Sequence, residues 1–237
     1  MIFDRIVCAS VILVLFASIS LCQTAPANPG AAQTSDSNNP SPAESKRILG
    51  VIPNYRSLST QQQYQPISSS EKFKIASEDA FDRGTIIMAA FFGAESQLTN
   101  ENRSFGQGGA GFGRYFGATY GDFVIGDYMT EAVFPSILHQ DPRYFRRGTG
   151  SGWSRLTYAV GQIFRTRRDS GAMQFNYSEI VGNSAAVAIS NAYYADNRNA
   201  SSAVSQLGLQ VGVDMCGNIL KEFWPDIQRK FRRKPRP

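Results

Sequence analysis

Apolar positions along this chain recur at helical spacing, and runs that alternate like a half-buried strand are absent. Ser68 with Glu71 has the form of a capping box, and EKFKIASEDAFDRGTIIMAAFFGAESQ keeps the helical period from there to about Gln97. A polar loop bearing Gly and Asn (98–108) precedes a second helical stretch, 109–139. Pro135 predicts a kink in it, because proline removes a backbone donor. QDPRYFRRGTGSG reads as a turn, 153–166 as a short helix and RRDSGAMQFN as a loop. Helices over 177–195 and 200–223 complete the set, and Pro225 is expected to break the pattern. The predicted class is all-α: a compact bundle of about five helices filling a domain at 68–227.

Within that bundle, GGAGFGRYFGATYGDF places Gly109, Gly113, Gly117 and Gly121 on one stripe. Each glycine inside a helix costs about 0.8–1.0 kcal/mol relative to alanine, so four cost roughly 3–4 kcal/mol. Missing Cβ atoms let another backbone come close, and dispersion contacts then offset the cost. Ser178, Gly182, Ala186 and Ser190 repeat the spacing, as do Gly208, Gly212 and Cys216, and Ala80 with Gly84. Small-xxx-small packing between helices is therefore expected, a device common in membranes and available to soluble bundles. A spanning helix needs about 20 mostly apolar residues. The longest charge-free stretches in the predicted helices, 180–195 and 199–213, fall short, and Asp122, Asp127 and Glu131 interrupt the glycine-rich one.

The first 22 residues change the picture of where such a bundle would work. MIFDRIVCASVILVLFASISLC has the short n-region, apolar core and small-residue cleavage site of a signal peptide (1–22). Cys22 follows Leu21, whereas lipidation favours a small residue there. Residues 23–45 carry four prolines and almost no apolar side chain, the composition of a disordered tether. Residues 46–67 read as an extended arm and 228–237 as a basic tail. Cys216 is the one cysteine of the predicted mature chain, so no internal disulfide is available to it.

The formal charge of +5 is uneven. Arg143, Arg146, Arg147, Arg155, Arg165, Arg167 and Arg168 crowd one stretch, interleaved with Tyr144, Phe145, Trp153, Tyr158 and Phe164. Cations beside aromatic rings suit a bilayer interface with anionic lipid. Nucleic acid is set aside, because an exported protein does not meet it. Asp127 with Glu131, and Asp214 with Asn218, lie four apart on helix faces. They are expected to make interhelical polar contacts, with Arg114 or Arg155 as candidate partners.

Catalytic signals are sparse. GQGGAG (106–111) matches a dinucleotide glycine fingerprint in letters only, since no strand precedes it. His139 is the single histidine, which leaves too few ligands for a structural zinc or a di-iron bundle site. No metal and no cofactor is predicted. The remaining catalytic candidates are His139, Asp141 and Glu131, with Asp127 nearby in sequence.

HQDPRYFRRG (139–148), DSGAMQFNYSEIVGN (169–183), ISNAYYADNR (189–198) and KEFWPDIQRKF (221–231) resemble stretches of an uncharacterised family of exported bacterial envelope proteins. The resemblance implies an envelope setting and no activity. The sequence thus predicts a non-enzymatic exported protein of the periplasm or outer envelope, associated with a membrane surface, whose partner is anionic lipid or another envelope protein. Two other readings remain: a membrane-embedded hairpin over 178–223, and a hydrolase-like enzyme centred on His139.

Overall fold

The computed structural model describes residues 47–48, 52–53, 56–59, 64–197 and 199–232. The predicted signal peptide and tether, and residues 233–237, lie outside the described residues. The capping box forms at Ser68: its hydroxyl accepts from Glu71 N, and the Glu71 carboxylate accepts from Ser68 N at 2.7 Å. It opens helix α1 (Ser69–Ala80). The helix expected to run on to Gln97 instead stops there. Asp82 accepts from Gly84 N at 2.6 Å and starts α2 (Arg83–Leu98) in a new direction, while Thr85 Oγ1 donates to Asp79 O. A side chain that caps a new helix overrides the continuous apolar rhythm.

α2 packs along α3 (Gly108–Asp127). The closest approach is at Gly93, where a Cβ would lie 3.0 Å from Phe116 Cα, so glycine is what this crossing admits. Tyr115 Oη donates to Asn102 O (2.6 Å) and accepts from Asn102 N (3.0 Å), fastening the loop between the helices. α3 passes without interruption into a π-helical turn (Tyr128–Val133) and then α4 (Phe134–Ile137). The π turn stands just ahead of Pro135, where the kink was predicted. Wider winding just ahead of the proline puts Pro135 in the first turn of α4, where no helical N–H is required. α1, α3, α4 and α6 all contact this turn, which holds the buried Glu131 and Ala132.

The protein is mostly helical, but the all-α prediction is corrected by short strands. β1 (Arg47–Ile48) pairs antiparallel with β2 (Ile52–Pro53). β3 (Ser57–Ser59) runs parallel to β5 (Tyr144–Arg146), so the arm docks beside the arginine-rich stretch. β4 (Gln140–Asp141), β6 (Arg165–Arg168) and β7 (Met173–Phe175) form an antiparallel sheet in the order β4-β6-β7. Strands of two to four residues carry no alternation to read, which is why these segments look like turns and loop in sequence. α5 (Gly152–Gly161) is correspondingly shorter than the predicted 153–166. α6 (Tyr177–Ser190) precedes α7 (Ala200–Arg232), which continues through Pro225 and takes in residues assigned to the basic tail.

The glycine stripe requires a further correction. Around Gly109, Gly113 and Gly117, and around Gly208 and Gly212, no atom of the described residues outside the local helix backbone comes within 4 Å of where a Cβ would stand. Gly121 reaches ordinary contact with Tyr193 Oη at 3.8 Å. The stripe on α3 turns outward, because Gly111 and Tyr115 occupy its buried face. Gly182 is different: a Cβ there would be 3.0 Å from Met129 O, so α6 lies tight against the π turn, and Ala186 is buried one turn on.

Candidate functional site

Charge fills the interior. Arg56, carried in by the arm, sets Nε 3.0 Å from Glu131 Oε1 and 3.5 Å from Asp79 Oδ2. These are ion pairs without hydrogen-bond alignment: Arg56 Nε, Asp79 Oδ1 and both Glu131 carboxylate oxygens are buried without a hydrogen bond. Burial pushes Glu131 and Asp127 well above the usual carboxylate range, against the pull of Arg56. It raises Asp79 in the same way. Next to them, Asn183 Nδ2 donates to Glu179 Oε1 (3.0 Å) and to Asp214 Oδ2 (3.3 Å). Burial, reinforced by Asp214, raises Glu179 well above its ordinary value. Lys221 of α7 completes the group. Burial and the nearby Arg56 draw its ammonium down to about 8, although Asp79, Glu131 and Asp214 pull the other way.

Two satisfied networks flank this core. Lys72 Nζ, buried on α1, donates to both oxygens of Asp169 (2.8 and 2.9 Å) and to Pro135 O (3.2 Å), tying α1 to α4 and the β6–β7 turn. Glu222 is fully buried. It accepts from Tyr144 Oη (3.0 Å), Arg147 N (2.9 Å), Gly148 N (2.8 Å) and Arg155 Nε (2.8 Å). Arg155 also reaches Asp226 Oδ2 at 2.6 Å. A carboxylate with four donors is stabilised where an unpaired one would be costly.

Between the core and the short sheet lies a cavity of about 40 Å³. Arg56, Thr130, Asp141, Arg143, Tyr144, Gln162, Arg165, Asn176, Glu179, Asn218 and Lys221 are among its lining residues. The cavity thus meets the arm, the π turn, all three strands of the β4–β6 region and the two last helices.

No protein family, curated protein or solved structure matches the chain. The site is therefore read from its own chemistry.

The catalytic candidates do not share a site. His139 is 82% exposed at a left-handed turn position (φ 52°), with Nδ1 3.8 Å from Asp169 Oδ2. Asp141 is buried and engaged by Arg143 at 2.6 Å. Glu131 faces Arg56. Of the acids placed on helix faces, Asp127 and Asp214 do join the core, but Arg114 and Arg155 are not their partners. Arg114 donates to Phe105 O, and Arg155 serves Glu222. Arg56 and Lys221 are the cations that influence Asp127 through space, neither within ion-pair distance of it, and sequence reasoning missed both. Nothing local marks them, since the acids they face come from four different helical segments.

The predicted surface arginines divide. Arg143 is taken up by Asp141 and by Gln65 O, with its guanidinium over the rings of Tyr64 and Phe145. Arg167 lies over the same two rings. Arg146 is half-buried, and Arg147 is exposed and bonded to Ser154 Oγ. Arg165 and Arg168 are the exposed pair on β6, and Arg168 donates to Gln174 Oε1. Arg165 pairs across the sheet with Phe175, beside an exposed aromatic group formed by Phe164, Phe175 and Tyr177.

Proposed function

We propose that the protein is a non-enzymatic envelope protein that acts at a membrane surface, in a structural or interaction role. One observation carries the reading: charge is buried while large apolar side chains face outward. Along α2, Ile86, Ile87, Phe91 and Leu98 project from the surface, Phe91 being 67% and Leu98 87% exposed, with Phe81 just ahead of them. Large exposed apolar side chains gathered on one helix mark a place meant to be covered. Among the described residues no helix is long and apolar enough to cross a membrane, so the face suits shallow seating at the headgroup boundary. Among the described residues of 178–223 no helix is long and apolar enough to form the alternative spanning hairpin. Export rests on the apolar segment at 1–22.

The test is vesicle flotation of the mature chain together with envelope fractionation under high-salt and carbonate washes. Flotation with vesicles and release by carbonate are expected. A protein recovered wholly in the soluble periplasm, and left behind by vesicles of every composition, removes the proposal. Retention in the envelope without vesicle binding moves the partner from lipid to another envelope protein.

A further inference from the structure

The cavity beside the charged core has an unusual balance of hydrogen-bonding groups. Lys221 is 7% exposed, lines the cavity, and among the described residues makes no hydrogen bond or close ion pair. Arg165 lines it too while remaining open to solvent, and its guanidinium is not committed elsewhere. Gln162 and Asn218 also line it, and their side-chain amides make no hydrogen bond among the described residues. The Asp141 carboxylate on the wall is already engaged. Both Asp141 oxygens receive Arg143, at 2.6 and 2.9 Å. Glu179 Oε1 accepts from Asn183, and burial raises the Glu179 carboxyl well above its ordinary value, which weakens it as a counter-charge. A buried ammonium without a partner is costly unless something answers it. Asp79, Glu131 and Asp214 attract the Lys221 ammonium through space, yet none lies within ion-pair distance. About 40 Å³ exceeds the roughly 10–15 Å³ that one water requires, and accommodates a small polyatomic ion.

We propose that this cavity binds a phosphate group, with Lys221 at its inner wall, Arg165 at its open side and the Gln162 and Asn218 amides between them. Two cations and neutral donors match the charge and multiple acceptor oxygens of a phosphate. Because Arg165 stands opposite Phe175 in the sheet and the exposed rings of Phe164 and Tyr177 adjoin it, the phosphate has two chemical sources. It is either a free inorganic ion or the headgroup of an anionic lipid whose chains meet those rings. The lipid source rests on the membrane-surface reading, and the free ion does not.

The experiment uses the mature chain and two probes. Inorganic phosphate is titrated at constant ionic strength against sodium chloride, followed by calorimetry and thermal unfolding. Vesicles of phosphatidylcholine, with and without phosphatidic acid, are used in flotation. Phosphate is expected to bind with saturation, and both Arg165→Glu and Lys221→Met to weaken it by at least about tenfold. Arg168→Ala, on the same strand but outside the cavity, is expected to leave binding unchanged. Arg165 is exposed, so its variant stays informative if Lys221→Met fails to fold. Phosphatidic-acid dependence abolished by Arg165→Glu identifies the lipid source. Phosphate binding without such dependence identifies the free ion. The proposal is overturned if phosphate does no more than chloride, or if Arg168→Ala weakens binding as much as Arg165→Glu. Vesicle binding indifferent to phosphatidic acid, with no phosphate binding, sinks the cavity and leaves the membrane reading standing. Phosphate binding with no flotation does the reverse.

Discussion

Arg56 Nε stands 3.0 Å from Glu131 Oε1 in the protein interior, joining the N-terminal arm to the π turn. The same guanidinium approaches Asp79 of α1. Arg56 is therefore the counter-charge of carboxylates that belong to the helical body, and it arrives on a segment held by the parallel pairing of β3 with β5.

Arg56→Met is expected to destabilise the protein by about 3–5 kcal/mol, the usual consequence of stripping one partner from a buried ion pair. Urea denaturation measures this. Adding Glu131→Gln to the variant should restore part of the loss, since the orphaned charge is then gone. A loss below about 1 kcal/mol would mean that the pair acts like a surface salt bridge.

Stability should also depend on pH in a defined sense. Asp79, Asp127, Glu131 and Glu179 are all raised by burial, so the folded protein holds their protons more tightly than the unfolded chain. Their contribution is complete below the ordinary carboxyl value of about 4 and is lost as pH rises through their folded values. Lys221, drawn down to about 8, works oppositely: its buried charge costs stability below that value, and the cost fades as pH rises beyond it. The denaturation midpoint should fall from about pH 5 towards neutrality and level or recover above about pH 8. Glu131→Gln should flatten the falling limb. A midpoint rising steadily between about pH 5 and pH 8 contradicts this account of the core.

How much of this was legible depended on whether the signal was local. The capping box at Ser68 and Glu71, the helical class and the inward-facing Gly182 and Ala186 follow from spacing along a single helix. The break at Asp82 did not, because Phe81 and Asp82 sit inside an apolar rhythm that runs through both helices. The strands were hidden by shortness: Gln140 and Asp141 pair with Arg168 and Arg167, too few residues to show alternation. The charged core was half legible. Asp127 and Glu131 were marked by their spacing, but Arg56 lies in a segment read only as an arm, and Lys221 in the apolar-looking stretch of α7. Their assembly is a product of tertiary packing, to which local pattern is blind.

Glycine gives a paired test of which stripes are packed. Gly93→Ala pushes a Cβ to 3.0 Å from the Phe116 backbone and should destabilise the α2–α3 contact. Gly113→Ala meets no neighbour. It should stabilise by about 0.8–1.0 kcal/mol through helix propensity alone. Thermal unfolding of the two variants settles the matter. If Gly113→Ala is destabilising, the outward stripe on α3 packs against something after all, and analytical ultracentrifugation would then be expected to detect a second copy.

The apolar face of α2 offers the most direct separation of stability from association. Ile87 and Phe91 are more than half exposed, so they contribute little to the core, and exchanging them for serine removes mainly surface that water already touches. Ile87→Ser with Phe91→Ser should change the unfolding free energy by no more than about 0.5 kcal/mol per site. The same double variant should float poorly with vesicles, because each large side chain buried in the headgroup boundary adds about 1.5–3 kcal/mol to association. Flotation equal to that of the unaltered chain would move the membrane contact away from α2. The end of the sheet at Arg165 and Phe175 would then be the next face to test, since it sets exposed rings beside an exposed arginine.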